Sequence, residues 1–143
     1  MRTHMAAPYE RIFGLAADIE RWPEILPHYR YVRRVASEAG TREFEMGARR
    51  GWIPVTWRAT QTPRPDERRI EFHHTGGVTR GMEVAWHFEP SGNGWDVRIE
   101  HALELGWPLI GRFAAERVIG PQFIEAIAGR TLRTIKHLAE DNS

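Results

Sequence analysis

The stretch from Pro121 to Glu140, PQFIEAIAGRTLRTIKHLAE, constrains this chain more than any other. Phe123, Ile124, Ile127, Ala128, Leu132, Ile135, Leu138 and Ala139 recur at the three-and-four spacing that lines one face of a helix. Gln122, Glu125, Arg130, Arg133, Lys136 and Glu140 take the opposite face. Pro121 suits a first helical turn, where its missing N–H would have no partner anyway, and the basic residues crowd the end that complements the helix dipole. At about 1.5 Å per residue the helix is roughly 30 Å long. An apolar stripe of that length needs an equally long apolar surface opposite it. Upstream, only a series of alternating segments supplies one, so the pattern predicts a curved sheet closing on this helix.

From His28 to Leu105 the apolar period is two. Strands are expected near 29–38, 42–50, 52–62, 68–74, 80–89 and 95–105. They are separated by Gly40, Gly51, the segment Pro63 to Asp66, the pair Gly76-Gly77, and the run from Ser91 to Gly94. Alternation turns Phe44, Met46 and Ala48 inward, with Val55, Trp57, Ala59 and Gln61. Ile70, Phe72 and His74 follow, then Met82, Val84, Trp86 and Phe88, and finally Val97, Ile99, His101, Leu103 and Leu105. The segment 29–38 does not alternate cleanly, so its facing stays open. Ahead of it, MRTHM reads as a short strand and APYERIFGLAAD as a helix with Tyr9, Ile12, Phe13 and Ala16 inward. Asp18 is expected to cap a second short helix that Pro23 and Pro27 confine to a turn or two. GWPLIGRFAAERVIG, after Leu105, is expected to form a short helix or lid hinged at Gly106, Gly111 and Gly120.

Composition narrows the function classes. The 143 residues suit one domain spanning 1–143, and a domain of this size buries about 68 to 70% of the surface its unfolded chain exposes. Twenty Lys plus Arg against 19 Asp plus Glu leave a formal charge of +1, which disfavours nucleic-acid binding and provides no strong net field toward phosphate or membrane. No cysteine is present, so disulfides and thiolate metal sites are excluded. No run reaches the length of a signal peptide or an integral membrane segment, and a cytoplasmic protein is expected. Six Trp in so short a chain supply large flat walls, each with one polar handle.

Several motifs carry a family resemblance. Ala7, Pro8, Glu10, Phe13, Asp18, Trp22, Pro23 and Pro27 in APYERIFGLAADIERWPEILPHY resemble the opening of the START-like (SRPBCC) superfamily. RGMEVAWHFEP, followed by the Gly92 and Gly94 turn and RIEHAL, looks like the paired late strands of its polyketide cyclase/dehydrase and coenzyme Q-binding branch, and FIEAIAGRTLRTIKHLAE resembles that branch's closing helix. The resemblance implies an α+β helix-grip fold: a curved antiparallel sheet of about seven strands wrapped around a long C-terminal helix, with two short helices after the first strand. It also implies a cavity between sheet and helix that holds an apolar small molecule such as a polyketide, quinone or lipid. The alternative it offers is an aromatase/cyclase or dehydratase performing aldol ring closure and dehydration there. A tyrosine and an arginine proposed for those roles in the family fall at Tyr29 and Gln61, and the glutamine cannot deliver the arginine's charge.

On this facing the candidate catalytic residues are Tyr29, His74 and His101. Either histidine titrates near neutrality and suits acid–base work, or each is a neutral side chain hydrogen-bonded in an apolar interior. The candidate ligand-binding set is Met46, Trp57, Gln61, Phe72, His74, Met82, Trp86 and His101 from the sheet, with Phe123 and Ile127 from the helix. Trp57 and Trp86 serve equally as stacking walls or as core. No metal site is expected, because His73 and His74 point to opposite faces and no carboxylate joins the inward set. No cofactor is implied. The expected partner is a hydrophobic small molecule, with Trp52 suited to a strand end or to the contact of a homodimer.

Overall fold

The computed structural model describes residues 1–77, 79–103 and 121–141. Leu105 and the expected lid, 106–120, lie outside the described residues. Strand β1 (Arg2–Met5) is followed by helix α1 (Tyr9–Ala17), a single 3-10 turn (Ile19–Arg21) and helix α2 (Trp22–Ile25). Six strands then run as a meander: β2 (Tyr29–Glu38), β3 (Thr41–Arg50), β4 (Ile53–Arg64), β5 (Arg69–Gly77), β6 (Met82–Ser91) and β7 (Gly94–Leu103). Helix α3 (Pro121–Glu140) closes the chain. The seven antiparallel strands are ordered β1-β7-β6-β5-β4-β3-β2, so β1 joins β7 at one edge and β2 forms the other.

Alternation places the core where the sequence pattern puts it. Phe44, Met46, Ala48, Val55, Trp57, Ala59, Gln61, Ile70, Phe72, His74, Met82, Val84, Trp86, Phe88, Val97 and Ile99 are all buried. His101 departs from its parity mates and is exposed, because it sits near the end of β7, beyond the packed centre of the sheet. In β2 only Tyr29 is buried. Register shifts between Tyr29 and Tyr31 and between Arg34 and Ala36 break its two-residue period, which is why its facing could not be read from the sequence.

Two expected strand breaks are interior to strands. Pro63 and Arg64 still pair with Ile70 and Arg69, and the chain turns instead through a 3-10 segment at Pro65–Glu67. Gly76 and Gly77 pair with Arg58 and Trp57 beyond a register shift at Arg58/Ala59. Gly77 has φ +84° and lies so close to β4 that a Cβ there would stand 2.7 Å from the carbonyl oxygen of Thr56. Its lack of a side chain permits the close approach and the bend. Asp18 precedes the 3-10 turn as expected, but its side chain makes no capping hydrogen bond.

Helix α3 crosses the concave face of the sheet. Leu132, Ile135 and Ala139 are buried there together with Met5, Ile12 and Ala16 from the N-terminal elements. Arg11 donates to the carbonyl oxygen of Leu138, and Glu140 accepts from the Ala6 amide at 2.9 Å, so the C-terminal half of the helix is tied to the start of the chain. Ile135 is fully buried in that half. Replacing it with Ala should cost about 2 to 5 kcal/mol of unfolding free energy in a denaturant titration with an unchanged slope.

Candidate functional site

The N-terminal half of α3 packs less closely on the sheet, and between them lies a cavity of about 90 Å³. Parity brings Met46 from β3, Val55 and Trp57 from β4, Phe72 and His74 from β5, and Met82, Val84 and Trp86 from β6 to its walls. Ile99 and His101 on β7, Tyr29 at the start of β2, Trp22 on α2, and Ile127, Ala128 and Thr131 on α3 join them among the described residues. The remaining lining residue, Thr79, comes from the β5–β6 turn.

Aromatic rings form an arc around this space. Trp57 and His74 stack at 6.0 Å with planes 10° apart, and Tyr29 meets the Trp57 ring edge-on at 6.1 Å. Trp22 links Tyr29, at 5.0 Å, to Trp86, at 6.2 Å. The indole N–H of Trp22 donates to the Leu15 carbonyl at 3.0 Å, so its polar handle is satisfied by α1 while the side chain lines the cavity.

The polar groups here are neutral at ordinary pH. His74 is buried, with Nδ1 2.6 Å from the Thr79 hydroxyl, and burial holds its pKa down to about 3, with lesser contributions from His101 and His73. Burial also raises the Tyr29 phenol above its ordinary range, with the nearby Thr131 hydroxyl acting weakly in the opposite direction. His101 lines the cavity on one side and is open to solvent on the other. Partial desolvation and the N-terminal ammonium lower its pKa, while Glu125 acts in the opposite direction. Its exposure limits the effect, because water screens a group in that position.

His28 is a further buried group, one that no sequence pattern singles out. The Thr131 hydroxyl donates to the Ile127 carbonyl at 2.8 Å, so at 2.8 Å from His28 it accepts from Nε2. Nε2 therefore carries the proton, and Nδ1, buried, has no hydrogen-bond partner among the described residues. Burial and the charge of Arg130 hold this histidine's pKa down to about 4. The signal for His28 was weak, since it precedes the first ladder pairs of β2 and no periodicity assigns it a face. Thr79 and Trp22, in a turn and a short helix, escaped for the same reason.

Of the expected ligand set, Met46, Trp57, Phe72, His74, Met82, Trp86, His101 and Ile127 meet at the cavity. Phe123 has its side chain outside the described residues. Gln61 does not line the cavity. It is fully buried, accepts from Arg42 at 2.9 Å and donates to the Ala17 carbonyl at 2.9 Å, so its amide clamps β3 and β4 to the end of α1. Parity turned it inward correctly. Its position along the strand, away from the α3 gap, places it in the packed core.

Residues 5–126 match the family model described as polyketide cyclase / dehydrase and lipid transport. The chain belongs to this family. It is 32% identical over 92 residues to the granaticin polyketide synthase bifunctional cyclase/dehydratase of Streptomyces violaceoruber, covering 63% of this chain and 28% of that protein. It is 31% identical over 97 residues to the actinorhodin polyketide synthase bifunctional cyclase/dehydratase of Streptomyces coelicolor, covering 66% of this chain and 31% of that one. The match thus spans less than a third of either relative's length. Among solved structures, a protein from Thermus thermophilus superposes with a TM-score of 0.78 at 23% identity, over 96% of this chain and 92% of that one, a likeness of fold. Cavity and sheet in this family member are built from the same inward positions, so the site is inseparable from the core.

Both buried histidines have folded pKa values below the ordinary 6.5, so the unfolded chain takes up protons first as the pH falls. Their contribution is fully present above pH 6.5 and is lost on acidification toward pH 4, on the order of 3 kcal/mol for each by that point. His4, whose pKa Asp96 raises at the surface, works in the opposite sense. Asp96 and Glu140, whose pKa values are lowered, lose their contribution only at lower pH. Thermal midpoints measured between pH 7.5 and 4.5 should therefore fall steadily, and His28→Gln should flatten the slope.

Proposed function

We propose that this protein binds a flat, largely apolar small molecule of polyketide character in the cavity between sheet and α3. The observation that carries the reading is the aromatic arc from Trp86 through Trp22, Tyr29 and Trp57 to His74, enclosing an apolar space whose polar groups are neutral hydrogen-bonding ones. Such walls favour ring faces, and neutral donors and acceptors favour carbonyl or phenol oxygens over charged groups. At about 90 Å³ the space is smaller than the ~150 Å³ cavity that admits benzene in a well-studied case, so entry requires side chains to give way. Met46 and Met82, unbranched and adaptable, line it and are suited to that. One ring of a larger ligand would sit in the aromatic arc, with its remainder directed toward the solvent-open side at His101.

A second reading is supported by the names of the two curated relatives, both bifunctional cyclase/dehydratases: aldol ring closure followed by loss of water. A methylene between two carbonyls gives up a proton to a base. The resulting enolate carbon bonds to a distant carbonyl carbon, whose oxygen takes up a proton, and water then leaves to form the double bond. His74 is too weak a base at a pKa of about 3 and is held by Thr79, which makes it a positioning group. His101 is the better candidate for proton acceptor, and the Tyr29 phenol for donor to the developing alkoxide.

The binding reading is tested by tryptophan fluorescence, since Trp22, Trp57 and Trp86 all line the cavity. Titration with a flat aromatic ketone such as anthraquinone should quench saturably, and Trp57→Ala should weaken binding by about 3- to 10-fold. Absence of saturable quenching, together with identical native and denatured masses for gently purified protein, would sink it. For the second reading, His101→Ala and Tyr29→Phe should each slow turnover of a linear poly-β-ketone by at least about 100-fold with binding retained. Unchanged turnover in both variants would leave the binding function alone.

A further inference from the structure

The end of the sheet that holds the cavity also carries an unusual surface. Trp52, in the turn between β3 and β4, is 87% exposed, whereas Trp22, Trp57 and Trp86 are buried and Trp95 is packed against Tyr9 and Arg68. Gly51, with φ +60°, shapes the turn that puts the indole at the tip. Arg49 and Arg50 precede it and are exposed. Two more exposed arginines belong to the same end. Arg80 lies in the β5–β6 turn beside the cavity residue Thr79. Arg130 on α3 acts electrostatically on His28, whose carbonyl accepts from the Arg49 amide at 2.8 Å.

Several arginines elsewhere on the molecule are paired. Arg2, Arg34, Arg58, Arg64, Arg69 and Arg98 each have a carboxylate within ion-pair distance. None of Arg49, Arg50, Arg80 and Arg130 has one among the described residues, where the acidic groups near this end include Glu125 on α3 and Glu83 at the start of β6, the latter 3.6 Å from His73. A formal charge of +1 for the whole chain therefore conceals, among the described residues, a local excess of positive charge around one exposed indole.

We infer that the cavity end of the sheet, with Trp52 at its tip and Arg49, Arg50, Arg80 and Arg130 around it, docks on an anionic lipid surface. An indole is at home in the headgroup region, where its ring meets apolar chains and its N–H stays hydrated. Arginines beside it are drawn to anionic headgroups, and among the described residues they have no carboxylate to leave. An acidic protein would also satisfy the arginines, but an indole projecting from a hairpin tip, with no other large exposed hydrophobic beside it among the described residues, fits insertion better than a protein interface. Docking here brings the cavity against the bilayer, since Val55 follows Trp52 by three residues and Thr79 adjoins Arg80. An apolar ligand would then transfer without crossing bulk water. The surface stands on its own observations, whichever ligand fills the cavity.

Vesicle co-sedimentation of the full chain tests this, using vesicles of phosphatidylcholine alone and of phosphatidylcholine mixed with phosphatidylglycerol. Binding is expected to the anionic vesicles and to weaken as salt is raised. Trp52→Ala should reduce it about 10-fold or more, and Arg49→Ala and Arg50→Ala about 5-fold each, while Arg64→Ala, at the opposite end of β4, leaves it unchanged. All four side chains are exposed, so the variants should keep the wild-type thermal midpoint. No binding to anionic vesicles, equal binding to neutral ones, or binding insensitive to Trp52 and the arginines would each overturn the assignment. Salt-sensitive binding to poly-glutamate without binding to vesicles would make the surface a site for acidic polypeptides and overturn it as well.

Discussion

The structure depends on the packing of one face of α3 against a concave sheet. An isolated helix of that length gains little from its own hydrogen bonds, and an antiparallel meander with one apolar face is equally incomplete. Each supplies the other's missing surface. The contact is uneven along its length, and the unevenness produces the site. Leu132, Ile135 and Ala139 close tightly on Met5, Ile12 and Ala16, whereas Ile127, Ala128 and Thr131 stand over a space that the sheet does not fill.

That division explains why polar groups in the interior have two distinct fates. Gln61 lies under the packed region and spends both ends of its amide on Arg42 and Ala17, so it holds strands to helix. His74 and Tyr29 lie beside the gap, where burial keeps them neutral and leaves them facing a cavity. His28 occupies the seam, joined to α3 through Thr131 with its second nitrogen unpartnered among the described residues. The bond from Nε2 to Thr131 ties the start of β2 to the same helical turn that roofs the cavity.

Much of the fold was legible because an antiparallel strand in a one-sided sheet encodes its facing at every second residue. Met46, Trp57, Phe72, Met82 and Trp86 could be assigned to one interior from spacing alone. The rule failed where geometry departs from it. Bulges scrambled β2, Gly76 and Gly77 looked like a turn while serving as a bent continuation of β5, and His101 kept its parity but ran past the packed region. Residues outside the ladders, such as His28, Thr79 and Trp22, have no parity to read. A net charge near zero likewise hid the grouping of cations around Trp52, because composition sums over a surface that the fold partitions.

The sequence by itself determined which residues face inward and that a long helix must cover them, since both follow from local periodicities of two and 3.6 residues. The family, too, was legible in its motifs. Only the tertiary structure decided which inward residues are core and which are wall. That choice depends on the separation between helix and sheet at each level, set by side chains from elements far apart in sequence. Gln61 and Trp57 share a strand and a parity. They differ because α1 closes over one while the other faces the gap beneath α3.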